Sequence, residues 1–355
     1  MMTDAILKNE ERAVFSLRAL YRRYGYAPYK MSRFEEYDLY VRNKDFLVSD
    51  QIITFSGDRG KLMALKPDVT LSIVKNATEE PGVVQKVYYN ENVYRDYREI
   101  MQAGLECVGD LGAYEIAEVA LLAVKSLEAL GQNYVLDLSH MGLIAAVLEA
   151  CRLEVPQKAM ECLSRKNLHE LETVCGENRT AWEKLSALLR CHGGGEQLAG
   201  IEKVLTTGEE KQALSELADL WKLLDGAGYG DHVRLDFSVG TGMGYYSGVV
   251  FKGYLAGIPE RILSGGQYDK LPRKMGRKAR AIGFAIYLDL LQGLYPAEQN
   301  RWVDTLILHD GTVDTAVLTA AAEEAAKNGT LLVTRKLPEH LDYKVLVRFE
   351  KGARV

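Results

Sequence analysis

Five cysteines occur in 355 residues, at Cys107, Cys151, Cys162, Cys175 and Cys191, an odd number with no C-x-x-C pair. Such a set supports neither a disulfide framework nor a zinc ribbon, and it fits a reducing compartment. No run of eighteen apolar residues is present, and the first fifteen residues, MMTDAILKNEERAVF, are charged throughout. Neither a membrane-spanning helix nor a secretory leader is expected, and the reading is cytoplasmic. Positive charge is not in excess either. Forty-four Lys and Arg stand against 49 Asp and Glu, a net charge of −5 that argues against a general nucleic-acid binder. The six histidines are scattered, with none four residues from another, so no metal site is expected. There is no Walker loop, no G-x-G-x-x-G leading into a βαβ unit and no nucleophile triad, and no cofactor is expected.

What is present is a chain 47% hydrophobic and 26% charged, long enough to bury a large core over two or three domains. Its most distinctive stretch is RLDFSVGTGMGYYSGVVF, Arg234 to Phe251. Alternation at Val233, Leu235 and Phe237, and again at Val249 and Phe251, predicts two short strands. Between them lie Gly240, Gly242 and Gly244, which a chain carries where it turns sharply or lets a ligand approach its backbone. Strand alternation sends Tyr245 and Tyr246 to opposite faces, one to line a pocket and one to pack behind it. On this stretch alone a plain hairpin with half-buried tyrosines outweighs a ligand pocket.

Taken in order, the chain predicts an amphipathic helix over 13–24 ended by Gly25, a strand-like stretch over 26–38, and a hairpin over 52–65 around Gly57–Gly60. A helix over 70–75 follows, for which Asp68 or Thr70 serves as cap. Strands at 84–89 and 103–108 flank a polar turn at 90–99, and a helix over 114–130 leads to a strand at 134–138. Residues 1–140 then read as the first part of a core, 141–230 as a helical insertion without strand-like runs, 231–300 as the second part of the core, and 301–355 as a short α/β unit. Within the second part, 281–294 reads as a helix ending before Pro296.

The residues with the most chemistry to offer are polar groups at strand ends and interiors. Gln102 and Glu106 are four apart on one strand, hence on one face, and Asp68 stands at the end of another. Two carboxylates, an amide and a tyrosine make a pocket for an amino acid: carboxylates for an ammonium, an acceptor for an imidazole N–H. A separate basic run, Arg273, Lys274, Arg277, Lys278 and Arg280, is able to grip phosphate, with a solvated loop or a protein interface as the stronger competing reading.

Four ordered segments resemble the class II signatures of histidyl-tRNA synthetase. LMALKPDVT is similar to that family's histidine-binding LRPEGT segment, and VYYNENVYRDYREIMQAGLECVGD to motif 2. GMGYYSGVVF is similar to the YYTG strand, and SGGQYDKL with AIGFAIYLDLL to motif 3. The resemblance implies an α+β fold, a class II synthetase-like antiparallel sheet flanked by helices. It also implies a histidine site in which Asp68, Thr70 and Gln102 surround the α-amino group, Glu106 and Tyr245 meet the imidazole, and Tyr246 stands beside them. Arg95 is implied as a phosphate or carboxylate contact.

The departures from the family pattern are equally specific. Thr241 stands where the synthetase carries its catalytic arginine, Gly244 where that loop has an aspartate, and Leu290 where motif 3 ends in an ATP-binding arginine. The motif 2 loop after Arg95 is shorter than the synthetase's, and Ser32 takes the place of motif 1's proline, which bears on the usual dimer interface. Removing one fixed cation from a site that stabilises developing charge costs orders of magnitude in rate. The pattern implied is that of a paralogous family, the regulatory subunits of ATP phosphoribosyltransferase, which act without catalysis in histidine biosynthesis. That family implies a short-form catalytic partner, L-histidine as allosteric ligand and a homodimer within a hetero-oligomer, with neither membrane nor tRNA as partner. The competing readings are a divergent histidyl-tRNA synthetase and a stand-alone histidine-binding module.

Overall fold

The computed structural model describes residues 7–47, 51–78, 80–239, 245–293, 302–339 and 341–355, and the chain divides into two compact units, Met1–Leu294 and Tyr295–Val355. The first unit starts with α1 (Asn9–Arg23), which buries Ala13, Leu17 and Tyr21 and stops before Gly25, where φ is +82°. Only glycine adopts that backbone region at no steric cost, so the helix ends where the sequence places its end. β1 (Ala27–Pro28), β2 (Phe34–Glu36), α2 (Tyr37–Arg42), β3 (Thr54–Ser56), β4 (Leu62–Leu65) and α3 (Thr70–Asn76) follow. β3 and β4 are the expected hairpin, and β2 pairs with the other side of β4. The strand-like stretch over 26–38 is broken into two short strands and ends in helix.

β5 (Val84–Arg95) and β6 (Arg98–Gly109) pair along their full length. The sequence assigns 90–99 to a polar turn, and the structure corrects this: the turn is only Asp96 and Tyr97, with φ of 52° and 59°. Two central residues at positive φ give the turn whose twist matches the paired strands. The polar side chains of Asn90 and Asn92 do not end the strand, because the ladder uses backbone groups and the buried Val93 keeps the alternation going.

After α4 (Ala113–Leu130) and β7 (Tyr134–His140), residues 141–230 carry α5 (Met141–Cys151), α6 (Pro156–Arg165), α7 (Leu168–Cys175), α8 (Arg179–Arg190), α9 (Leu198–Glu202) and α10 (Gly208–Leu224). A two-residue strand, β8 (His192–Gly193), lies among them where the sequence shows no strand pattern; two residues are too few to establish a period. This segment is tied by a buried ion pair. Lys184 and Glu210, 1% and 0% exposed, meet at 2.6 Å, and Glu210 also accepts the backbone N–H groups of Thr206 and Thr207 at the start of α10.

β9 (Val233–Asp236), β10 (Val249–Leu255), β11 (Leu263–Gln267), α11 (Lys270–Lys274) and β12 (Arg280–Tyr287) complete the unit. Among the described residues the large sheet has nine strands in the order β1-β5-β6-β12-β11-β10-β7-β9-β8, antiparallel except for β1 with β5 and β7 with β9. It is the helix-flanked, mostly antiparallel sheet that the resemblance implies. β9 and β10 do not form a hairpin, since β7 lies between them and pairs with both. The helix expected over 281–294 is a strand, β12, followed by a 3-10 turn over Leu288–Gly293. Both faces of β12 are covered, so its run is apolar throughout, and an apolar run of that length fits a buried helix as well as a strand.

The sheet separates two cores. Leu105, Leu136, Phe251, Phe284 and Ile286 point to one face, against α1, α4 and the helices of 141–230. Val87, Tyr89, Val108 and Ala281 point to the other, against α3, Tyr40 and Tyr268. Among the described residues the second unit holds a four-stranded sheet, β13 (Trp302–His309), β14 (Leu331–Thr334), β15 (Asp342–Glu350) and β16 (Ala353–Arg354). α12 (Thr315–Lys327) packs on Ile307, Val347 and Phe349 of that sheet.

Candidate amino-acid site

On the face opposite the main core, the middle of the large sheet is paved with small residues. Gly104 on β6 lies opposite Ala285 on β12, which lies opposite Ser264 on β11; one row along, Glu106 lies opposite Gly283. A Cβ at Gly283 would collide with the Glu106 carboxylate, and one at Gly104 would collide with the Tyr89 ring. The missing side chains leave a cavity of about 360 Å³.

Glu106 stands at its floor, 2% exposed. Its Oε1 accepts the Thr70 hydroxyl at 2.7 Å and its Oε2 accepts the Tyr268 hydroxyl. Burial pushes its carboxyl up to about 8 even though both hydroxyls favour the ionised form. Asp68 lines the same cavity and is also raised, chiefly by burial, against the pull of the Leu71 N–H and of Arg95. Two buried carboxyls, both raised by burial, are placed to meet a cationic or N–H-donating ligand.

The sequence offers Asp68 and Thr70 as caps of α3, and the structure divides these duties. Asp68 Oδ1 accepts the Leu71 N–H at 2.8 Å, so it caps and lines the cavity at once, whereas Thr70 gives its hydroxyl to Glu106. Gln102, buried two turns of the pleat before Glu106, opens into the same space, as do Tyr245, Tyr246 and Arg95. All seven residues singled out from the sequence therefore border one cavity. Their binding roles are a separate matter.

One expectation about the tyrosines fails. Tyr245 and Tyr246 do not go to opposite faces: their rings meet edge to face at 4.8 Å and both border the cavity. β10 begins only at Val249, so the residues before it escape strand alternation. Ser247 holds this segment in place, its N–H donating to the Gln267 carbonyl at 2.8 Å and its hydroxyl accepting the Asp269 N–H at 3.0 Å. Burial, with Asp68 nearby, raises the Tyr245 hydroxyl well above its ordinary range. Thr241 and Gly240, Gly242 and Gly244 lie outside the described residues.

Sequence reasoning missed Tyr268, Tyr89, Lys252 and Arg261, which also line the cavity. Tyr268 sits inside the SGGQYDKL segment, where its neighbour glycines were the available signal; Lys252 and Arg261 carry no local pattern that separates them from surface cations.

The family model for histidyl-tRNA synthetase matches residues 3–291. The chain belongs to the histidyl-tRNA synthetase family. Within it, the chain is similar to the ATP phosphoribosyltransferase regulatory subunit of Syntrophotalea carbinolica, 28% identical over an alignment of 352 residues that covers 92% of this chain and 82% of the relative. A crystal structure of an ATP phosphoribosyltransferase regulatory subunit/histidyl-tRNA synthetase from Bacillus halodurans superposes with a TM-score of 0.78, at 23% identity, over 96% of this chain and 94% of that one. A chain from an ATP phosphoribosyl transferase (HisG:HisZ) complex of Thermotoga maritima superposes with a TM-score of 0.62, at 18% identity, over 79% of this chain and 97% of that one.

Two of the departures from the family pattern, the shortened motif 2 loop and Leu290, fall on described residues. The motif 2 loop is cut to the two residues Asp96 and Tyr97. Leu290 packs its side chain against the main core. The basic run does not form a free phosphate grip. Lys274 pairs with Asp45 at 2.7 Å, Arg277 binds the Lys75 and Ala77 carbonyls at the end of α3, and Arg280 bridges Asp269 and the Leu111 carbonyl. Among the described residues no group of three His, Cys, Asp or Glu side chains is placed to hold a metal ion, and no helix is long and apolar enough to cross a membrane.

Proposed function

We propose that this chain is a non-catalytic regulatory subunit that binds free L-histidine in the cavity and controls a short-form ATP phosphoribosyltransferase catalytic subunit. The observation that carries this reading is the Thr70–Glu106–Tyr268 cluster on the floor of the cavity, a buried acceptor matched to an imidazole N–H. Asp68, Thr70 and Gln102 receive the α-ammonium, Glu106 and Tyr245 the imidazole, Tyr246 closes the side, and Arg95 faces the anionic end. Thr241 and Leu290, where the synthetase has arginines, support the absence of adenylation, as does the two-residue turn after Arg95. The relatives named as regulatory subunits support the choice of partner.

A ligand shifts an assembly only through different affinities for its states, and by linkage whatever favours the active assembly weakens histidine by the same factor. In this reading the chain activates the catalytic subunit, and histidine, binding the less active state of the assembly more tightly, inhibits it. In this reading the protein is cytoplasmic and dimerises within a hetero-oligomer. The test is to mix the chain with a short-form catalytic subunit. Activity rises on mixing and falls when histidine is added; a catalytic chain that is fully active and histidine-sensitive alone, or that forms no complex at micromolar concentration, refutes the reading.

A further inference from the structure

Tyr89 lines the cavity and takes no part in the contacts proposed above. It stands on β5 directly opposite Gly104, which lies opposite Ala285 on β12, so all three share the face that carries the cavity. A Cβ at Gly104 would come within 2.5 Å of the Tyr89 hydroxyl oxygen, so that oxygen lies over the glycine, in the space its missing side chain leaves. Gln102 and Glu106 stand two residues to either side of Gly104 on the same face, each about 7 Å along the strand. The hydroxyl therefore sits between a residue proposed for the ammonium and one proposed for the imidazole.

Tyr89 is 3% exposed, and its hydroxyl has no hydrogen-bond partner among the described residues. The Thr70 and Tyr268 hydroxyls in the same cavity differ in this respect, since both donate to Glu106. A buried polar group without a partner costs stability, and a cavity that keeps one leaves that partner to be supplied by a ligand. Burial, and after it Glu106 and Asp68, hold the Tyr89 hydroxyl well above its ordinary range, so it stays protonated and adds no charge of its own. Both of those neighbours are acidic, and an oxygen beside carboxyls offers its lone pair to a cation more readily than its proton to an anion. We propose that Tyr89 is a contact for the α-ammonium of the bound amino acid, its hydroxyl oxygen accepting one N–H alongside Asp68, Thr70 and Gln102. The proposal rests on the histidine reading above and adds a residue that reads the ammonium from the floor of the cavity.

The experiment compares the full chain with Tyr89→Phe, which removes the hydroxyl and keeps the ring, by calorimetry with three ligands. L-histidine carries ammonium, carboxylate and imidazole; histamine lacks the carboxylate; imidazolepropionate lacks the ammonium and is measured by its displacement of histidine. Tyr89→Phe weakens histidine and histamine alike, by roughly 10- to 100-fold, the usual worth of a hydrogen bond to a charged group, and leaves imidazolepropionate within about twofold. The midpoint of urea unfolding without ligand is unchanged or higher in the variant, because the hydroxyl it loses had no partner to leave behind. No loss for histidine, an equal loss for imidazolepropionate, a loss that spares histamine, or a lowered unfolding midpoint overturns the ammonium assignment. If no ligand binds the unaltered chain, the histidine reading fails first and this proposal with it.

Discussion

Replacing Glu106 with glutamine separates what the cavity does for stability from what it does for a ligand. Glu106 is 2% exposed and its carboxyl is pushed from an ordinary 4.5 to about 8 by burial. Between those two values the folded chain keeps a proton that the unfolded chain releases, so stability falls as pH rises through that window and stays low above it. At about 1.4 kcal/mol per unit the full penalty at pH 9 is roughly 3 to 5 kcal/mol. Glutamine cannot ionise, yet its carbonyl still accepts one hydroxyl. Urea denaturation of both chains at pH 5, 7 and 9 gives Glu106→Gln nearly equal to the unaltered chain at pH 5 and more stable by roughly 3 kcal/mol or more at pH 9. All other titrating groups are shared, so they cancel in the difference. At pH 9, where Glu106 is ionised, histidine binds the variant roughly 5- to 30-fold more weakly, because a neutral acceptor replaces a charge-assisted one. A stability gap that does not change between pH 5 and pH 9 would falsify the buried-carboxyl argument.

Three further outcomes follow from the same geometry. Tyr268→Phe removes a donor that favours the Glu106 carboxylate, so the carboxyl titrates above about 8, visible by infrared spectroscopy in the carbonyl region, and histidine affinity drops; an unmoved titration refutes the contact. Gly283→Ala places a methyl on the Glu106 carboxylate and against the Leu105 carbonyl, costing roughly 1 to 3 kcal/mol in stability and displacing the acceptor, read as lost histidine binding by calorimetry. Lys184→Met leaves Glu210 charged in the core of 141–230 and lowers stability by roughly 3 to 5 kcal/mol. Adding Glu210→Gln to that variant restores much of the loss, and failure to do so shows the pair to be independent.

Much of this arrangement was legible along the chain. Helix α1 is fixed by apolar spacing and by Gly25, and the Gln102–Glu106 interval places both side chains on one face of a strand. These are local properties, set by periods of 3.6 and 2 and by the backbone freedom of glycine. Where the local signal was ambiguous, the expectation failed. β12 reads as helix because burial on both faces removes the alternation that marks a strand, and 90–99 reads as a turn because polar side chains obscure a continuous ladder.

Tertiary structure alone decided which strands meet and hence what shares the cavity. Nothing near Glu106 in the sequence points to Tyr268, 162 residues away, or to the glycine at 283 whose missing side chain makes room for the carboxylate. β7 separates β9 from β10, which ends the hairpin reading, and the irregular start of β10 turns both tyrosines to one side. The sequence by itself determined the residue types and their local faces; the pairing of distant strands determined which of those faces look at one another. Only that pairing excludes water from Glu106, and exclusion of water is what raises its carboxyl and makes an acid on a strand into an acceptor held ready for a ligand.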